Sequence, residues 1–495
     1  MLQPLQLKRT FENPLLKSSI IYLPGFILLI YLIVRAIILP ITVDENWTCS
    51  EFVSMSVIDI ITYAHPIPNN HIVNTLLIKL TTQLFGWNQF FVRLPNILGF
   101  VVYYLSVLGI LRKKRSDWTF VLFGIVVLVC NQYLLDFFSL ARGYGLSIAF
   151  MFAAIYFMIC YLEANSVANL FYASGIAAIA VYTNFTILNF YVAFSGLLFV
   201  LILLEYKTVS WEGRVNKMFI VGGVSAILFA LSYLPITKMI ATNQFVHWGT
   251  SGFYKDTIES LLTYTFYYYG GNNYVIPIIA IAALLGAIFT YYFLLILPTY
   301  WKGNRILLTK PFQIFPLLFI GTVIVNIAQH KIAGTPYLTT RTALFLYPLF
   351  ALSIVGLAEY LYEKKGLLYG IIVYGFVFVG IANLSRTYNF YSCAEWWFDA
   401  DTKDIISFLE TQYKQDPQKK PIVLNTNWLF ASSFDFYLRT QDLSWIKYGT
   451  YKAGIDSDYD YYYADSEEYN VAKERVEVVK SYNNSRFLVK KKSQN

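Results

Sequence analysis

Two adjacent carboxylates, Asp44 and Glu45 in "TVDENWTCSEF", stand just beyond the first long apolar run of the chain. A carboxylate can act as a general base when it lies within hydrogen-bond reach of a hydroxyl nucleophile. Four arginines, Arg35, Arg93, Arg142 and Arg341, sit inside or at the ends of apolar runs. Guanidinium forks match phosphate oxygens, and they stabilise a phosphate most where charge develops as it leaves. A charge at membrane depth is costly: it faces a cavity or partner, or it snorkels to the interface. Together these residues point to transfer of a group from a lipid phosphate to a hydroxyl at a membrane surface. His65, Asn70 and His71 share the long loop that holds Asp44, and His247 lies in a later one; these four are the candidate substrate contacts.

The elements that must position these groups are membrane spans. The chain has 495 residues, 57% of them hydrophobic and 14% charged, with a mean hydropathy of +0.50. Ordinary soluble cores cannot hide that much apolar surface. Runs near 20 apolar residues suit helices crossing about 30 Å of hydrocarbon. We read about eleven spans, at 20–40, 94–111, 119–135, 144–162, 169–184, 186–206, 218–236, 274–299, 313–329, 343–361 and 367–384. The first is too long for a cleaved signal peptide.

Basic residues set the sidedness. Clusters precede the first span (Lys8, Arg9, Lys17) and follow the second ("RKKR"), sixth (Lys207, Arg214, Lys217), eighth (Lys302, Arg305, Lys310) and tenth (Lys364, Lys365). With a cytoplasmic N-terminus, all five fall on the cytoplasmic side. These loops account for most of the net charge of +8, so that charge is no sign of a nucleic-acid partner. The outer face then receives the loop 41–93, the turn near Asp136 to Arg142, the segments 237–273 and 329–342, and the C-terminal tail.

In the outer loop, Ile72, Leu76, Leu80 and Leu84 recur at helical spacing, which predicts a helix lying along the interface. The segment 237–273 carries "NQFVHWGTSGF" and "YTFYYYGGNN", suited either to a mobile flap over a sugar or to anchoring at the interface. From about residue 385, "PIVLNTN", "LSWIKYG", "DYDYYYA", "VEVVKSY" and "SRFLVKK" read as short strands, with helical patterns at 401–414 and 428–438. The expected fold is thus an all-α polytopic membrane domain, 1–384, followed by a small extracytoplasmic α/β domain, 385–495. The tyrosine run suits strand packing or a sugar-stacking surface. Cys49, Cys130, Cys160 and Cys393 have no metal-ligand spacing.

The motifs resemble those of the GT-C glycosyltransferases, in particular the protein O-mannosyltransferase and aminoarabinose-transferase branch. The carriers are Asp44–Glu45 after the first span, "HPIPNNHIVNTLL", "FGWNQFFVRLPNILGF", "ARGYGLSIAF" and "RTALFLYPLFAL", in that order. The resemblance implies a polyprenyl-phosphate-linked sugar as donor and a protein, glycolipid or glycan hydroxyl as acceptor. It implies that Asp44 is the general base of an inverting transfer, with Glu45 orienting the acceptor. Arg35, Arg93, Arg142 and Arg341 would hold the polyprenyl phosphate. No cofactor and no metal is implied: "AEWWFDAD" only mimics the metal-associated motif of the oligosaccharyltransferases, and Asp44 and Glu45, without a nearby third carboxylate expected, make a poor hard-cation site. The "NWT" sequon at Asn46 is expected to be unused, because a glycan there would obstruct the cavity. With no MIR-like repeats, this favours a prokaryotic plasma (inner) membrane with the site on the periplasmic face. A lipid-linked sugar flippase or another transporter is the competing reading. It would place its charges near the bilayer midplane.

Overall fold

The computed structural model describes residues 14–113, 117–244, 252–267, 286, 311–362, 366–449, 454–483 and 485–492. Among them, eight helices are long and apolar enough to cross a membrane: Ile21–Ile38, Gln89–Arg112, Gly143–Ala164, Phe185–Lys207, Trp211–Ala241, Ile314–Ala333, Thr340–Tyr362 and Leu367–Thr387. The fold is that of a helical polytopic membrane protein with a small C-terminal sheet domain. The expected span 169–184 is the shorter apolar helix Val167–Thr183. The expected span 274–299 and the basic residues around it lie outside the described residues, as does His247.

One expectation is corrected. The expected span 119–135 is a pair of helices, Trp118–Val129 and Gln132–Phe138, bent by 71°. Asn131 causes the break: its backbone is extended, and its side chain accepts from Leu134 N–H at 3.1 Å to start a new helix. The helix Ile72–Phe85 is present, with Leu80 and Leu84 exposed and Ile72, Asn74, Thr75, Ile78 and Thr82 buried. Asn74 accepts from Asn96 at 2.7 Å and donates to the Ala141 carbonyl at 3.3 Å.

The chain divides into two compact units. The first comprises Met1–Val34, Ser56–Ile78 and Arg93–Tyr388; the second comprises Arg35–Met55, Lys79–Val92 and Asn389–Asn495. The core of the first is aromatic: Tyr103 packs on Phe152 (4.8 Å between centroids) and Phe138 (5.3 Å). Gly145 lets two helices touch, since a Cβ there would sit 2.4 Å from the Phe137 carbonyl. Toward the expected cytoplasmic end, buried Lys217 donates to Glu205 at 2.5 Å, and Glu205 also accepts from Tyr161 at 2.5 Å.

In the second unit, β1 (Ile422–Thr426), β2 (Ile446–Tyr448), β3 (Tyr461–Ala464), β4 (Val476–Tyr482) and β5 (Arg486–Lys491) form one sheet in the order β2-β1-β3-β5-β4. β1 runs parallel to β2 and β3, while β5 is antiparallel to β3 and β4. Helix Trp428–Thr440 supplies the β1–β2 crossover. Tyr462 and Tyr463 are fully buried in β3, so the tyrosine run packs a strand. Arg486 and Asp401 form a fully buried ion pair at 2.9 Å, and Asp401 also accepts from Tyr463 at 2.7 Å.

Removing one member of a buried ion pair strands the other charge, at a cost of about 3–5 kcal/mol. Lys217→Met is therefore expected to lower stability by about that amount, and Glu205→Gln on top of it to recover part of the loss. Thermal unfolding in detergent checks both; a loss below about 1 kcal/mol for Lys217→Met would place the pair among weak surface bridges.

Candidate functional site

The first unit holds a cavity of about 150 Å³ built from the expected outer ends of its helices. The ends of Val167–Thr183, Trp211–Ala241 and Ile314–Ala333 meet the beginnings of Gly143–Ala164, Phe185–Lys207 and Thr340–Tyr362 there. Its polar wall includes Tyr63, Asn70, His71, Tyr182, Asn184 and Asn189. Asn70 and His71 were expected from the sequence. The tyrosines and the other two asparagines were not, because single polar residues at span ends look like ordinary caps until the ends converge.

Part of this wall is held by neighbours. Asn70 donates to the Ile60 carbonyl at 3.0 Å and accepts from Thr75 at 3.2 Å. The Tyr63 hydroxyl donates to the Asn70 carbonyl. Tyr63 itself adopts φ 51°, a left-handed conformation costing about 1–3 kcal/mol and found mostly at functional positions. His71 lies against Gly143, where a Cβ would sit 2.8 Å from both the His71 Cβ and the Thr183 carbonyl. The glycine of "ARGYG" is therefore what admits the imidazole. Tyr144 packs edge-on to His71 at 5.0 Å, and the Arg142 guanidinium lies 5.9 Å from the Tyr144 ring centre.

Arg142, also buried, donates to Asn69 Oδ1 at 3.1 Å. Burial, then the charges of Arg142 and Arg341, hold the His71 pKa well below the usual histidine value. The first unit thus brings together Asn70, His71, Arg142 and Arg341. Arg93 is buried in the same unit, and His65 is half-buried outside the cavity wall.

A second cavity in this unit, of about 370 Å³, is apolar and lined by residues such as Val126, Phe319, Phe350 and Val379. The two are neighbours. Phe253 lines the apolar cavity and Tyr337 the polar one, with ring centres 5.5 Å apart. Thr342 lines one and Leu346 the other, and Arg341 immediately precedes the segment that joins them.

Asp44, Glu45 and Arg35 belong to the second unit. Thr42 and Glu45 form a capping box on helix Val43–Trp47: Glu45 N–H donates to Thr42 Oγ1 at 3.4 Å, and Thr42 N–H donates to Glu45 Oε2 at 2.9 Å. Glu45 is fully buried, whereas Asp44, one position earlier, is half-buried. Arg35 donates to the carbonyls of Asn389 and Ser392, the latter at 3.2 Å. One expectation is revised here. A third carboxylate, Asp399 of "AEWWFDAD", accepts from Val43 N–H at 2.8 Å and lies within the electrostatic reach of Glu45 and Asp44. Burial, then those two charges, push its pKa well above the ordinary value. Among the described residues, no three acidic, histidine or cysteine side chains converge as metal ligands. Asn46 is buried, with its amide donating to Ser432 at 3.0 Å and Asp435 at 3.1 Å, which closes the sequon to a glycan. Cys130 and Cys160 are in no disulfide.

No family model and no curated protein matches the chain. Among solved structures it is similar to ArnT from Cupriavidus metallidurans in the apo state, with 12% identity over 93% of this chain and 96% of that chain, TM-score 0.46. It is likewise similar to the same protein bound to undecaprenyl phosphate, with 11% identity over 94% and 97% of the two chains, TM-score 0.45.

His71 gives a signed pH dependence. Its folded pKa lies below the unfolded value of about 6.5, so the unfolded chain takes up the proton first. The stability gained from a neutral buried imidazole is complete above pH of about 6.5 and falls as pH drops below it. We expect the melting temperature to decline from pH 7.5 to 5.5 in about that window, and less steeply in His71→Asn. Equal slopes in the two proteins would show that His71 does not titrate in this way.

Proposed function

We propose that the chain is a membrane glycosyltransferase. It moves a sugar from a polyprenyl-phosphate carrier to an acceptor hydroxyl on the outer, periplasmic face of a prokaryotic plasma membrane. The observation that carries this reading is the pair of neighbouring cavities, one polar and aromatic, the other apolar. A lipid-linked sugar has the same two-part chemistry. The phosphate between its halves would fall to Arg341, next to the joining segment, with Arg142 and Arg93 as further cations; fork geometry suits guanidinium to that task.

In the reaction, the acceptor oxygen attacks the anomeric carbon, and the bond from that carbon to the phosphate oxygen breaks. The electron pair leaves with the polyprenyl phosphate, and the configuration inverts. Asp44 takes the acceptor proton. Of the adjacent pair, Asp44 is the better base, because Glu45 is committed to the capping box and buried. Glu45 and Asp399 hold the short helix on which Asp44 stands: Glu45 through the cap, Asp399 through Val43 N–H. Arg35, bonded to Asn389 and Ser392, fits a structural clamp better than a phosphate ligand. The acceptor class, a protein Ser/Thr hydroxyl or a glycolipid or glycan, stays open at this level.

The test is sugar transfer from purified polyprenyl-phosphate donors in proteoliposomes. Asp44→Asn is expected to lower kcat by at least about a hundredfold, the range of a general base, with an unchanged melting temperature. Full activity in a folded Asp44→Asn protein would remove Asp44 from the mechanism. No transfer by the wild type from any donor would favour a transporter.

A further inference from the structure

The polar cavity has a feature that bears on which sugar it accepts. Among the described residues, its wall contains no aspartate, glutamate, lysine or arginine. Four of its groups, His71 Nε2, Asn189 Oδ1, Tyr182 Oη and Thr186 Oγ1, are buried without a hydrogen-bond partner among the described residues. His71 is 5% and Asn189 3% exposed. Leaving such groups unpaired is costly, so a wall that carries four of them is suited to a guest bearing several hydroxyls. The donor and acceptor mix also fits: a tyrosine and a threonine hydroxyl can donate or accept, an amide oxygen accepts, and an imidazole nitrogen does either by tautomer. Tyr63, Tyr144 and Phe185 add aromatic surface for the apolar face of a sugar ring.

The field at this wall is positive. Arg142 and Arg341 are the charges acting on the buried His71 ring, and Arg142 already lies toward the Tyr144 ring. An ammonium group in a low-dielectric cavity beside two guanidiniums is repelled far more strongly than it would be in water.

We propose that this cavity is a subsite for a hydroxyl-rich pyranose that carries no cationic group and that it excludes cationic amino sugars. The inference takes its place in catalysis from the transferase reading above, as the subsite for the donor's sugar; the binding itself does not need the reaction.

The test separates the two. Saturation-transfer NMR on the detergent-solubilised full chain would compare methyl mannoside and methyl glucoside with methyl glucosaminide and methyl glucuronide. The neutral glycosides are expected to bind at least about tenfold more tightly than the glucosaminide, given the strength of like-charge repulsion in such a site. Asn189→Leu, which fills the wall with an apolar side chain, should abolish the signal while a melting curve shows a folded protein. Should Asn189→Leu misfold, Tyr182→Phe removes one hydroxyl with little change of shape, and it should weaken the neutral glycosides severalfold. Equal or tighter binding of the glucosaminide, binding of the glucuronide weaker than that of the glucosaminide, binding of no glycoside, or signals unchanged in both variants would each overturn the proposal. Neutral-selective binding without transfer from any donor would leave the subsite standing and remove the transferase reading. Transfer that prefers an amino-sugar donor would do the reverse.

Discussion

A polar group buried at the end of a membrane span must find its hydrogen-bond partner inside the protein, because hydrocarbon offers none. Much of this structure follows from that constraint. Lys217, Glu205, Tyr161 and Asn165 satisfy one another in a closed set. Asn74 and Asn96 bond across two helices, and Asn131 turns its side chain back to start a new helix. Set against that internal bonding, the wall that carries His71, Tyr182, Thr186 and Asn189 stands out. Four buried polar groups there have no partner among the described residues, and the cations Arg142 and Arg341 act on the same region. Polar residues at membrane depth are retained mainly where they bind or react, which is why the functional reading centres on this cavity.

The same constraint separates roles within residue pairs that look equivalent in sequence. Asp44 and Glu45 are neighbours of one charge type, yet Glu45 closes a capping box in full burial while Asp44 remains half-buried. Arg35 and Arg142 both sit at the ends of apolar runs. Arg35 is bonded to main-chain carbonyls of Asn389 and Ser392, whereas Arg142 bonds a side chain, Asn69, beside the His71 wall. Packing context assigns these roles, and residue type does not.

Much of the architecture was legible in the sequence. Spans announce themselves by length and hydropathy, and the five strands and two of the three α-helices of the C-terminal sheet domain lie where their alternation and turns predict them; the short helix Ser466–Ala472 was not expected. The failures have physical causes. The break at Asn131 was hidden because a single capping asparagine does little to the mean hydropathy of a run. Asp399 was invisible as a partner of Asp44 and Glu45 because 350 residues or so of chain separate them, and only tertiary folding, the last step to be encoded locally, brings Val43 N–H to its carboxylate. Asn70, His71 and Arg142 were legible as a cluster of unusual polarity; Tyr182, Thr186 and Asn189 were not, since nothing distinguishes them from ordinary span-end residues in one sequence.

The central claim is that the sugar is cut from its carrier and does not merely cross the membrane on it. The most direct measurement follows both products of a single incubation: polyprenyl phosphate released, and the anomeric configuration of the transferred sugar by NMR. The account predicts one polyprenyl phosphate for each sugar transferred, with the configuration inverted relative to the donor. Intact donor recovered in the opposite leaflet with no free polyprenyl phosphate, or a product of retained configuration, would contradict it.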